Sequence, residues 1–116
     1  MKIIDRNNKI LLVELELMAV NMFGDLVKAV VDIDKKNMAV DAELHADQEK
    51  VLLEKGSKQE NLWGINLYPD SYNDEDFIEF DSMINLRPSW GNISRGVDDE
   101  NIQDKIIKIV NNLVSE

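Results

Sequence analysis

The sequence predicts an α+β domain. The expected form is a two-layer sandwich in which a mostly antiparallel sheet of four strands, with an optional fifth short strand at the N-terminal edge, is covered on one face by helices. Three observations predict it. Two apolar, β-branched runs flank the polar residues Asp34, Lys35, Lys36 and Asn37, the pattern of a hairpin. Strand-like segments alternate, with apolar residues on one parity and polar residues on the other, so one side of the sheet needs a cover. Three other segments carry apolar residues at helical spacing and can supply it.

The elements follow in the order α-β-β-α-β-β-α. Residues 10–23 place Leu11, Leu15, Met18 and Met22 on one helical stripe, and Gly24 supplies the stop. The run "LLVELEL" also alternates, so a strand competes there. Leu26 to Asp34 and Met38 to Leu44 are the hairpin arms. Asp47 is placed to cap a short helix reaching Lys55, with Val51 and Leu52 turned inward and Gly56 just past its end. "LWGINLY", residues 62–68, is the third strand, closed by Pro69 and Asp70. "FIEFDSMINLR" is a long fourth strand ended by Pro88. In the last helix Asp98, Asp99 and Glu100 suit the positive end of the helix dipole, and Ile102, Ile106, Ile109 and Leu113 form the buried stripe. "KII", residues 2–4, is the optional edge strand.

One parity of the four strands collects Val27, Ala29, Val31, Met38, Val40, Trp63, Ile65, Leu67, Phe80 and Ile84. The other collects Lys28, Asp32, Asp41, Glu43, His45, Asn66, Tyr68, Asp81, Asn85 and Arg87. With all three helices assigned to the apolar side, this polar side is expected to be wet, or closed by a ligand or a second subunit.

Composition bounds the function. A chain of 116 residues with 44% apolar content can close one core, so residues 1–116 are expected to form a single domain. The absence of cysteine removes disulfides and thiolate metal sites, and no secretory leader pattern stands at the N-terminus, so a reducing cytoplasm is expected. The most apolar stretch carries Glu14 and Glu16 and is too short for a bilayer, so no membrane partner is expected. A formal charge of −10 makes this an acidic protein and disfavours nucleic acid, while it would attract a basic protein partner.

Two groups of residues carry candidate chemistry. Glu43 and His45, two apart on the expected strand, would project on the same side roughly 7 Å apart, with Asp47 just beyond. The trio Glu43, His45 and Asp47 could hold a cation; with a sole histidine and no cysteine, a hard ion such as Mg²⁺ or Mn²⁺ on Glu43, Asp47 and Asp81 fits better than zinc. His45 and Asp81 are then the catalytic candidates of a metal-assisted hydrolase or phosphoryl-transfer enzyme. The competing reading gives His45 a carboxylate partner and leaves Asp47 as a helix cap.

The second group lies in "LRPSWGNISRGVDD", residues 86–99, which holds two of the three arginines of the chain. Arginine's planar fork suits carboxylate or phosphate, and Gly91 and Gly96 permit close backbone approach. Arg87, Asn92, Ser94 and Arg95, with Asn85, form a candidate anion site. Against it, the acids at 98–100 occupy the helix start, and Arg95 paired to Asp98 or Asp99, or Arg87 paired to Asp81 or Glu43, is the structural alternative. Trp63 is expected in the core, whereas Trp90 marks an interface or a pocket wall. No G-x-S-x-G, P-loop, G-x-G-x-x-G or H-E-x-x-H motif is present.

The runs "FGDLVKAVVDI", "ELHAD", "GSKQENLWGINLYPD" and "EFDSMINLRPSWGNISRGVDD" resemble a family of small, functionally uncharacterised proteins of bacteria and archaea, a domain of unknown function. The resemblance spans residues 20 to 114. It implies that "ELHAD" and the Arg87–Arg95 loop are family features, and it brings no activity. The stretch "NNKILLVELELMA" is more apolar than the resemblance leads one to expect, which favours self-association into a homo-oligomer. Three functional classes are compatible with these residues: a module binding an anionic small molecule or an acidic tail, the metal-assisted enzyme, and an acidic interaction protein that neutralises a basic partner.

Overall fold

A computed structural model describes residues 1–116. The strands are β1 (Lys2–Ile4), β2 (Ile10–Leu11), β3 (Val27–Asp32), β4 (Asn37–Val40), β5 (Leu62–Leu67), β6 (Ile78–Glu79) and β7 (Val114–Ser115). The helices are α1 (Leu12–Asn21), α2 (His45–Glu54) and α3 (Glu100–Leu113). Five strands pair antiparallel in the order β1-β4-β3-β5-β6, and β2 and β7 form a separate parallel pair. The fold is α+β with a mostly antiparallel sheet, as the alternation predicts, and "KII" is its edge strand.

The β3–β4 turn is tied by Asp32, whose Oδ1 accepts from the backbone N–H groups of Asp34 and Lys35 at 2.9 Å each. Lys36 completes the turn at φ 58°. Beyond Val40 the second arm ends early, because Asp41 adopts φ 69° and turns the chain out of the sheet. The expected strand to Leu44 is therefore corrected: His45 opens α2. Asp47 does not cap that helix. It stands exposed in the first turn, and Leu44 at the N-cap position makes no side-chain cap. Gly56 at φ 98° does end the helix, its N–H reaching Leu53 O. Asp99 caps α3, accepting from the Asn101 N–H at 2.8 Å.

Strands β4 and β5 are separated by β3 and both run antiparallel to it, so they run parallel to one another. Their connection must pass over one face of β3. That geometry puts α2 on the face opposite α1 and α3 and corrects the expectation of a one-sided cover. The main core joins Val27, Ala29, Val31, Met38, Trp63 and Ile65 to Leu15 and Ala19 of α1 and to Ile106, Ile109, Val110 and Leu113 of α3. On the other face Val30, Ala39 and Leu62 pack against Leu52 of α2, with Ile3 and Ile84 alongside. The polar strand ends at Lys28, Asp32 and Asn66 mask a small apolar centre, which is why the alternation misleads. Each fully buried aliphatic side chain on either face contributes about 1.5–3 kcal/mol.

The long fourth strand is also corrected. Only Ile78 and Glu79 pair, with Leu67 and Asn66. After Phe80 the chain leaves the ladder because Ser82 Oγ accepts from the Ile84 N–H at 3.3 Å and starts a 3-10 turn at Met83–Asn85. The free edge of β5 is finished by side chains instead. Asn85 accepts from Gly64 N–H at 2.8 Å and donates to Gly64 O at 2.9 Å, while Arg87 donates to Gln59 O at 2.6 Å and to Leu62 O. Gly64 is required there, since a Cβ would stand 2.5 Å from Ser82.

Candidate functional site

The arginine loop uses most of its polar groups on backbone, its own and that around β5, and leaves the buried Arg87 Nε without a partner. Asn92, 4% exposed, donates through Nδ2 to the carbonyls of Asn85, Ser94 and Gly96 at 2.7, 3.1 and 2.9 Å, and its Oδ1 accepts from Asp98 N–H at 2.9 Å. The Ser94 hydroxyl donates to Asp98, which also accepts from the Ile93 N–H, and these bonds, Ser94's first, hold the Asp98 carboxyl below its ordinary pKa. Arg87 stacks between two rings, its Cζ 4.3 Å from the centroid of Trp63 and 5.5 Å from that of Trp90. Burial lowers its pKa. Trp63 is core, and Trp90, 56% exposed, is the outer wall of that stack.

Arg95 is the loop residue that points elsewhere. Its Nε donates to Asp81 Oδ1 at 2.8 Å, an exposed pair, and its terminal nitrogens have no protein acceptor. Both residues line a cleft of about 230 Å³ with Lys28, His45 and Asn66. Four segments build its walls. Lys28 and Asn66 are direct cross-strand partners on β3 and β5. The start of α2 forms one wall through Leu44, His45 and Ala46, and Asp81 and Ser82 form the other. The exposed side chains of Leu44 and Met83 add an apolar rim.

His45 is 7% exposed, and its Nε2 lies 2.8 Å from Ile65 O. A carbonyl can only accept, so Nε2 carries the proton and Nδ1 is the free acceptor. Burial pushes the His45 pKa down; the Ile65 carbonyl opposes this, Lys28 and Arg95 reinforce it, and Asp81 opposes it. The imidazole is therefore neutral near pH 7. Asn66 is oriented by its donation to Glu79 Oε1 at 2.8 Å, which leaves its buried Oδ1 without a donor. Glu79 also accepts from Tyr68 at 3.1 Å.

Of the residues singled out in the sequence, His45, Asp81 and Arg95 meet in this cleft. Asn92 and Ser94 are engaged inside the loop, and Asn85 and Arg87 are engaged by the backbone at and before β5. Glu43 and Asp47 are exposed and do not converge with His45, and no group of three acidic or histidine side chains is placed to hold a metal ion. The ladder register brings in Lys28 and Asn66, which sequence reading placed on the polar parity without placing them in a site. The signal that would have found them is their pairing across β3 and β5.

A family model described as a protein of unknown function, DUF5674, matches residues 2–113. The chain belongs to the DUF5674 family. Neither a curated protein nor a solved structure matches it. The match reaches further toward the N-terminus than the motif resemblance, so the apolar helix α1 lies within the DUF5674 region. No helix of this DUF5674 chain is long and apolar enough to cross a membrane.

Proposed function

We propose that the cleft between α2, β5 and the Asp81–Arg95 pair binds a small organic anion that also carries a hydroxyl or amino donor. The observation that carries this reading is the set of groups left over. Lys28, the terminal nitrogens of Arg95 and the uncapped start of α2 are donors that suit a carboxylate or phosphate. Asn66 Oδ1 and His45 Nδ1 are acceptors that suit a hydroxyl or amine. The volume, below the roughly 300 Å³ at which drug-sized pockets begin, selects a compound of few carbons. The overall charge of −10 does not forbid an anion, because screening over about 8 Å at physiological salt leaves the nearest cations in control.

The neutral His45 favours a second reading, in which the same cleft performs acid–base chemistry with His45 Nδ1 as the base. Binding is tested first. Thermal melts with malate, glycerate and phosphoglycerate are expected to rise, and succinate, which lacks the hydroxyl, is expected to raise them less. Arg95→Ala should abolish the rise. Equal responses to malate and succinate, or a rise that survives Arg95→Ala, would sink the proposal.

A further inference from the structure

A larger depression, about 650 Å³, lies between the β1–β2 loop, the β3–β4 turn and the C-terminal end of α3, away from the His45 cleft. We infer that it is a second binding site and that its ligand is a phosphorylated sugar or polyol. Arg6 and Lys9 enter it from the loop, Lys35 and Lys36 from the turn. None of the four has a carboxylate partner: the ion pairs of the molecule are Lys2 with Glu14 and Arg95 with Asp81. In a chain with 23 acidic and 13 basic residues, a lining with four basic side chains and one acid makes a local reversal of sign.

The groove is already shaped. Asp5 and Asn8 exchange backbone hydrogen bonds at 3.3 and 3.0 Å, and Asp32 fixes the opposing turn. Lys35 Nζ is turned to Lys55 O at 3.1 Å, outside the lining, so Arg6, Lys9 and Lys36 are the free cations of the groove. Asp5, the one acid in the lining, is engaged by the Asn7 N–H at 2.8 Å. The dipole at the end of α3, whose last turn has no basic residue, brings about half a negative charge, which Arg6, Lys9 and Lys36 exceed. Asn7 and Asn112, both exposed, line the groove with side-chain amides that suit ligand hydroxyls. No aromatic side chain lines it, so a nucleobase has no stacking platform and a hydroxylated body is preferred. The volume lies within the range of small-molecule sites.

The test is calorimetry and amide chemical-shift mapping on the full chain with fructose 1,6-bisphosphate, pyrophosphate and a hexaglutamate peptide. The sugar bisphosphate is expected to bind most tightly and to shift residues 5–9 and 34–37. The double variant Lys35→Gln, Lys36→Gln, exposed positions whose folding is checked by its melt, should bind at least tenfold more weakly. Arg95→Ala should leave this binding unchanged, which separates the site from the cleft. Absence of binding at millimolar concentration, binding indifferent to the double variant, or equal binding of pyrophosphate or hexaglutamate would overturn the inference.

Discussion

The loop holding Asn85, Arg87 and Asn92 and the cleft holding Asn66, His45 and Arg95 are built from nearly the same residue types, and they differ in what those residues have left to give. In the loop Asn92 contacts three carbonyls and accepts one N–H, and Asn85 binds both polar groups of Gly64. In the cleft Asn66 keeps an empty acceptor, and Arg95 keeps its terminal donors. Asparagine and arginine serve as scaffold in one place and are available to a ligand in the other. What separates the two is how much hydrogen-bonding capacity stays unspent rather than composition, since the buried loop leaves only the Arg87 Nε without a partner.

The sharpest way to break this comparison is Asn92→Ala. Leaving several buried loop groups unpaired should cost about 3 kcal/mol in urea denaturation. A loss below about 0.5 kcal/mol, within the range of ordinary surface substitutions, would mean that the loop is not a scaffold. Arg87→Met, which keeps the stem and removes the bonds to Gln59 and Leu62, should cost about 1.5 kcal/mol and alter the fluorescence of Trp63 and Trp90. Unchanged emission would separate Arg87 from the ring stack.

The pH dependence gives a smaller effect with a defined sign. His45 titrates near 6.5 when unfolded and lower when folded. Above 6.5 it is neutral in both states; as pH falls through that value the unfolded chain takes a proton that the native chain refuses, and stability drops. Denaturation midpoints at several pH values between about 7.5 and 5.5 should show this slope in the parent and a flatter one in His45→Gln. Parallel curves would place the burial cost elsewhere. The smallest expected change is the stability of Arg95→Ala, within about 0.5 kcal/mol of the parent because the pair with Asp81 is exposed. A loss near that of Asn92→Ala would make Arg95 scaffold too.

Much of the fold is legible in local chemistry. Gly24 and Gly56 end their helices at positive φ, Asp99 caps α3, and the β3–β4 hairpin follows its turn residues. What the pattern hides is non-local. Val30 and Ala39 are too few to announce a second buried face until the crossover lays Leu52 over them. Phe80 to Arg87 alternates well enough for a strand, yet Ser82 and Asn85 compete for the backbone and end the ladder after Glu79. For the cleft, His45 and Asp81 belong to one candidate group in the sequence and Arg95 to the other, whereas Lys28 and Asn66 need the register of β3 on β5. His45 was placed on a strand that Asp41 ends, so its true neighbour, the Ile65 carbonyl, had no trace in the spacing.

The small parallel ribbon of β2 and β7 joins position 10 to position 114, directly before α1 and directly after α3. A chain emerging from a ribosome therefore cannot close its main helical layer until synthesis has passed the last of these residues. The loop-closure entropy of so distant a contact must be met before that layer is rewarded, so assembly of the two helices is a late event and slower than formation of the β3–β4 hairpin.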